Sequence, residues 1–209
     1  MRVLICDDHP IVRKGLRQIL EQEQASVTIG EAASAPEAVD LARKKPWDIV
    51  VIDITMPGRS GLELLKDLKR ERPNIPVLVL SVHPADQYAV RVLRAGASGY
   101  LTKESAPEEL LTAIRQILRG GRYISPSVGE TLAADLGRPA DEAPLHGLSD
   151  REFEVMRLLT SGKRASEIAE ELCLSVKTVS TYRTRFLQKL GLRTTAEIMR
   201  YALKHGFAD

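Results

Sequence analysis

Apolar positions in the first 121 residues alternate between two rhythms. Arg2–Cys6, Val27–Glu31, Asp48–Asp53, Pro76–Ser81 and Ser98–Thr102 are short, branched and apolar, as strands are. Between them, Ile11, Val12, Leu16, Ile19 and Leu20 recur at helical spacing, as do Leu62, Leu64, Leu65 and Leu68. A last helix is marked by Leu110, Leu111, Ile114, Ile117 and Leu118 and closed by Gly120-Gly121. Five strand–helix units in succession predict an α/β fold, a doubly wound, five-stranded parallel sheet covered on both faces. Ile49-Val50-Val51-Ile52 is apolar at every position, which suits a central strand.

The rhythm breaks over residues 122–146. Pro126, Pro139 and Pro144 surround one short helical stretch, Val128–Leu136, and the segment reads as an interdomain linker. Beyond it strand signals vanish. Four helices are expected near Asp150–Ser161, Ser166–Leu172, Ser175–Leu190 and Thr195–His205, an all-α domain over 147–209.

Composition adds mainly exclusions. Apolar residues are 44% and charged residues 28%, an ordinary folded composition. No apolar run is long enough for a membrane span, and the start lacks the pattern of a secretory leader, so the expectation is a cytoplasmic protein without membrane contact. Cys6 and Cys173 are distant in sequence and read as small buried side chains in a reducing compartment. Net charge is only +2, but residues 147–209 carry 11 Lys/Arg against 8 Asp/Glu. Within Ser175–Leu190, Lys177, Arg183, Arg185 and Lys189 have no acidic counterpart.

Ligands of doubly wound sheets bind beyond the carboxyl ends of the strands. Asp7 and Asp8 follow the first strand here, Asp53 ends the third, Ser81 ends the fourth and Lys103 follows the fifth. Converging carboxylates repel one another unless a cation intervenes, and an all-oxygen set suits Mg²⁺. A carboxylate so screened can attack a phosphoryl group, with Lys103 as the ammonium and Ser81 as a hydroxyl donor. Each residue alone has a plainer reading: Asp7 or Asp8 as a helix cap, Asp53 and Lys103 as solvated loop charges, Tyr100 as a half-buried sheet residue.

Together these motifs resemble two-component receiver domains: Asp7-Asp8, Asp53-Ile54-Thr55-Met56-Pro57 with Gly61, Ser81, and Gly99-Tyr100-Leu101-Thr102-Lys103. The resemblance spans about residues 2–120. It implies Asp53 as phosphoacceptor, Asp8 as a direct Mg²⁺ ligand, Asp7 as a more indirect one, and the Thr55 carbonyl as a further ligand. Lys103 would contact the phosphoryl group, and Ser81 and Tyr100 would be switch residues.

The C-terminal helices carry a second pattern. Leu148-Ser149-Asp150-Arg151-Glu152 has the form of a capping box. A short turn at Cys173-Leu174 then joins Glu167–Leu172 to the basic helix, as in a helix-turn-helix. A helical wheel puts Val176, Val179, Tyr182, Phe186, Leu187 and Leu190 on one face. Lys177, Thr181, Thr184 and Gln188 lie opposite, flanked by Ser180 and Arg185, with side chains suited to base edges. Lys189 lies toward the boundary, where it would meet phosphate, and Arg183 nearer the apolar side. From Leu148 to about Phe207 the chain resembles the LuxR-type effector domain of NarL/FixJ-like response regulators. It departs from many members at Ala165 and Tyr182, where Asn and His are common.

The resemblance implies a bacterial response regulator, not an enzyme. A sensor histidine kinase would phosphorylate Asp53, and a homodimer would then bind double-stranded DNA and contact RNA polymerase. Two rival readings are a phosphorylation-independent DNA binder and a small Mg²⁺-dependent phosphatase. The phosphatase would need a second acid where Thr55 stands.

Overall fold

A computed structural model of the chain describes residues 1–23, 26–137 and 147–204. The chain divides into two compact units, Met1–Asp135 and Leu136–Asp209.

The first unit alternates β1 (Arg2–Cys6), α1 (Pro10–Glu23), β2 (Thr28–Ala32), α2 (Ala35–Lys44), β3 (Ile49–Asp53), α3 (Gly61–Glu71), β4 (Val77–Ser81), α4 (Ala85–Arg94), β5 (Gly99–Thr102) and α5 (Ala106–Leu118). The strands are parallel in the order β2-β1-β3-β4-β5. Every residue of β3 and β4 is buried, because helices cover both faces of the sheet centre. β2 lies at an edge, is only partly buried, and starts one residue later than its apolar run suggests. One core cluster joins Val3, Ile5, Val51 and Leu80 of the sheet to Leu16 and Leu20 of α1 and Leu110 and Ile114 of α5. Burying each such side chain contributes roughly 1.5–3 kcal/mol. Trp47 is also buried, packed against Gly30 of β2, and its indole N–H donates to the Leu41 carbonyl at 3.0 Å.

α6 (Pro126–Leu136) starts two residues before the apolar pattern suggests, with proline at its first position, where the missing N–H costs nothing. Nearly all of α6 clusters with the first unit. Pro139 and Pro144, the other punctuation of the expected linker, lie outside the described residues.

The second unit contains α7 (Asp150–Thr160), α8 (Ala165–Glu171), α9 (Val176–Leu190) and α10 (Thr195–Lys204). His205, expected at the end of α10, lies outside the described residues. The capping box forms at α7: Ser149 Oγ accepts from the Glu152 amide, and Glu152 Oε2 accepts from the Ser149 amide at 2.8 Å. Phe153, Met156, Ile168, Val179, Phe186 and Ile198 are buried between the helices. The expectation for Cys173 is corrected. It is exposed, with φ 51°, because the tight turn from α8 to α9 needs a left-handed residue whose side chain points outward. Cys6 is buried as expected. Among the described residues no helix is long and apolar enough to cross a membrane.

Candidate functional site

The sheet order reverses between β1 and β3, and there the predicted carboxylates converge. Asp7 and Asp53 are almost wholly buried, and Asp8 is partly exposed. Lys103 Nζ reaches across from the end of β5 and lies 2.7 Å from both Asp53 Oδ2 and Asp7 Oδ2. It donates a well-directed hydrogen bond to Asp53, whereas its approach to Asp7 is a charge contact. Asp7 Oδ2 and Asp8 Oδ1 are buried, and their nearest nitrogens, Lys103 Nζ at 2.7 Å and His9 Nδ1 at 3.0 Å, are poorly directed for hydrogen bonding to them. Asp7 Oδ1 accepts from the His9 amide at 2.8 Å, and Asp53 Oδ1 from the Thr55 amide at 3.1 Å.

Burial raises the Asp53 carboxyl from its ordinary 3.8 to about 6, with the Asp7 charge adding to it and Lys103 opposing. Burial alone would lower the Lys103 ammonium, but Asp53 and Asp7 outweigh it and the net shift is upward. The Cys6 thiol is pushed up to about 12, by burial first and then by Asp7 and Asp53. The pocket thus carries uncompensated negative charge in a desolvated place. Converging carboxylates that outnumber the shared ammonium, in a place where burial disfavours their charge, are what a hard divalent cation relieves, so the donor set fits one.

Asp7, Asp8, His9 and Asp53 offer ligand atoms within 4.8 Å of one another. The sequence reading omitted His9. Its imidazole Nδ1 lies 3.0 Å from Asp8 Oδ1, and the available signal was its place directly after the acidic pair. Thr55 is beside Asp53, and its hydroxyl is 3.1 Å from His83 Nε2.

Gly61, which opens α3, sets the shape of the Asp53 loop. Its amide donates to the Ile54 carbonyl at 3.0 Å, and a Cβ there would stand 2.0 Å from the Asp53 carbonyl oxygen. No other residue fits that approach.

Ser81 and Tyr100 are both fully buried and meet through His83. The His83 amide donates to Ser81 Oγ at 2.9 Å, and the Tyr100 hydroxyl donates to the His83 carbonyl at 2.7 Å. The His83 ring stacks on Tyr88, with centroids 5.2 Å apart. The Lys103 amide donates to the Ser81 carbonyl at 2.7 Å, which ties the ends of β4 and β5 together.

In the second unit, Lys177, Ser180, Thr181, Thr184, Arg185 and Gln188 are all exposed along one side of α9. The hydroxyls of Ser180, Thr181 and Thr184 donate back to the carbonyls four residues earlier, at 2.9–3.0 Å. This leaves their lone pairs and the threonine methyls facing outward. Lys189 is placed differently: its ammonium bonds Glu152 Oε2 at 2.7 Å and the Gly147 carbonyl at 3.1 Å, tying α9 to the α7 cap. Arg183 donates to Thr195 Oγ1 at 2.7 Å and so braces α10. Val176, expected on the core face, is 49% exposed at the first position of α9, whereas Val179 three residues on is buried.

Two family models match: a response regulator receiver domain over residues 3–115, and bacterial regulatory proteins of the luxR family over residues 146–202. Response regulator UvrY of Escherichia coli is 37% identical over all of this chain and 96% of its own length. Response regulator GacA of Pseudomonas aeruginosa is 37% identical over all of this chain and 98% of its own. Among solved structures, RcsB from Salmonella enterica serovar Typhimurium, bound to promoter rprA in the presence of phosphomimetic BeF3−, is similar with a TM-score of 0.66. It is 30% identical, covering 96% of this chain and 97% of that one.

Proposed function

The chain belongs to the response regulators that join a receiver domain to a LuxR-type DNA-binding domain, and from that premise we propose that Asp53 is the phosphoacceptor through which a partner histidine kinase controls DNA binding by α9. The protein is a DNA-binding transcription regulator of the UvrY/GacA type. We assign residues 1–121 to the receiver, 122–146 to the linker and 147–209 to the DNA-binding domain.

The observation that carries the reading is the convergence of Asp7, Asp8 and Asp53 in a buried pocket whose ammonium, Lys103, is shared between Asp53 and Asp7. In the transfer, an Asp53 oxygen bonds to phosphorus as the P–N bond to the kinase imidazole breaks, and that nitrogen keeps the electron pair and takes up a proton. Lys103 exchanges its carboxylate contact for a phosphoryl oxygen, and the Ser81 hydroxyl, which accepts from His83, donates to another. Asp8, Asp7, Asp53 and the Thr55 carbonyl would hold Mg²⁺, which screens the repulsion between carboxylate and phosphoryl group. His9 is a fifth candidate donor. The product places about −1.5 to −2 charges on the phosphoryl group, where the Asp53 carboxylate alone carried about −1, and so biases the loop held by Tyr100.

On DNA, Lys177, Ser180, Thr181, Thr184, Arg185 and Gln188 form the outer, base-reading face of α9. Lys189, anchored on Glu152, would reach phosphate only by leaving that pair. We further propose a cytoplasmic location, a homodimer on phosphorylation that presents two copies of α9 to a two-fold site, and contact with RNA polymerase.

Incubating the protein with Mg²⁺ and acetyl phosphate should add one phosphoryl mass, lost in Asp53→Asn. A folded receiver that gains no such mass would sink the assignment. Thr181→Ala and Arg185→Ala should each change base preference in a binding-site selection, and an unchanged preference would remove α9's outer face from the account.

A further inference from the structure

We propose that residues 122–128 form a latch on the open edge of β5, closed while Tyr100 is held by His83, so that the switch state reaches the segment leading to the DNA-binding domain. The proposal rests on Asp53 being the point of control.

The latch has three points of attachment. Gln116 Nε2 donates to the Arg122 carbonyl at 2.7 Å as the chain turns back after α5. Tyr123 then pairs with Gly99 as a one-residue parallel bridge, its amide donating to the Ser98 carbonyl at 2.9 Å. It caps a strand edge that would otherwise present unpaired backbone groups. The approach is tight, since a Cβ on Gly99 would stand 3.0 Å from the Tyr123 carbonyl oxygen. The Tyr123 hydroxyl donates to Glu109 Oε2 at 2.6 Å, fixing the bridge to α5. Five residues further on, Val128 in the first turn of α6 is buried.

Tyr100 stands on both sides of this arrangement. It is next to Gly99 in β5, so the residue that carries the bridge and the residue that senses His83 share one peptide unit. Tyr100 also lines a pocket of about 280 Å³ whose other walls include Glu109 and the start of α6 through Val128. The Tyr100 hydroxyl is directed at the β4–α4 loop by its bond to the His83 carbonyl and a longer one, 3.4 Å, to the Pro84 carbonyl, and the pocket adjoins it on the α6 side. When the Ser81 hydroxyl is recruited by a phosphoryl group, the loop bearing His83 is ordered. Tyr100 is then held, and the wall beneath Val128 is fixed. Loss of the Tyr100 hydroxyl bond frees the ring and loosens 122–128. Tyr123 and Glu109 are positioning residues in this scheme.

The test is amide hydrogen exchange on the full chain at Tyr123 and Gly129, whose amide donates to the Ser125 carbonyl at 2.9 Å, with Asp53 phosphorylation read by mass in the same samples. Removing one such hydrogen bond should speed exchange by about tenfold. Tyr100→Phe should therefore raise exchange at both amides even without phosphorylation. Acetyl phosphate should slow exchange in the wild type and not in Tyr100→Phe. Tyr123→Phe and Glu109→Ala should loosen the latch and weaken the phosphorylation effect on DNA affinity, with the mass gain at Asp53 unchanged. If Tyr123→Phe loosens the segment but Tyr100→Phe does not, residues 122–128 are a static clamp and the coupling is overturned. If the mass gain is normal but exchange at 122–129 is insensitive to it, the proposal also fails. An absent mass gain would instead condemn the Asp53 assignment, and the unphosphorylated Tyr100→Phe comparison would still decide the latch.

Discussion

Replacing Asp53 by asparagine should stabilise the metal-free receiver at neutral pH, although it destroys the proposed acceptor. The carboxyl is raised from 3.8 to about 6, chiefly by burial. The folded state therefore holds its proton more tightly than the unfolded chain. That contribution to stability is fully present below about pH 4 and is lost as the pH rises through about 6. At 1.36 kcal/mol per unit the full loss is about 3 kcal/mol. Linkage places roughly 1.4 kcal/mol of it between about pH 5 and about pH 7.5. Asparagine keeps the shape, can still accept from Lys103, and carries no charge to desolvate, while Lys103 retains Asp7. The ion pair given up with Asp53 offsets part of the gain, so the expected stabilisation near pH 7.5 is about 1–3 kcal/mol. Urea unfolding in excess chelator at the two pH values measures both the offset and its slope. Should the asparagine variant be less stable near neutrality, or the difference stay flat with pH, burial does not dominate the electrostatics of this pocket.

Three further outcomes follow from named contacts. Mg²⁺ should raise the Tm of the wild type by relieving the repulsion among Asp7, Asp8 and Asp53, and Asp8→Asn should remove most of that rise in a thermal melt with and without the ion. Gly61→Ala forces a Cβ onto the Asp53 carbonyl. It should cost at least about 2 kcal/mol in urea and slow acetyl phosphate labelling, since neighbouring backbone cannot yield cheaply. In the second unit, Glu152→Ala should cost about 1–2 kcal/mol, because it removes half of a capping box and strands Lys189. Lys189→Ala should cost less, its ammonium being substantially exposed, and the reverse order in circular-dichroism melts would contradict this account of the cap.

The sheet was readable because strand burial leaves a direct mark: Ile49–Ile52 has no polar position, and the polar residues that end strands must serve something beyond the core. The same logic located Asp7, Asp53, Ser81 and Lys103, since parallel strands bring their carboxyl ends to one edge. His9 escaped because nearness to Asp8 is a matter of loop geometry, and its imidazole is exposed. A helical wheel encodes angle but not length along the axis. It sorted Lys177 and Gln188 correctly outward yet put Val176, the first helical residue of α9, in a core that is reached only at Val179. Neither the commitment of Lys189 to Glu152 nor the docking of Tyr123 on Gly99 has a periodicity. Both are single contacts between residues far apart in sequence, which no local pattern can announce.

The chain has one tryptophan, and its placement has an optical consequence. Trp47, shut beneath α2 with its N–H on the Leu41 carbonyl, belongs wholly to the first compact unit. Its emission is therefore silent about the second unit, while ellipticity sums the helices of both. Recorded together on one unlabelled sample, the two signals separate the melting of the phosphorylation half from that of the DNA-binding half. A gap between the two traces would show the halves unfolding independently, and its narrowing on phosphorylation would measure how strongly they come to depend on each other.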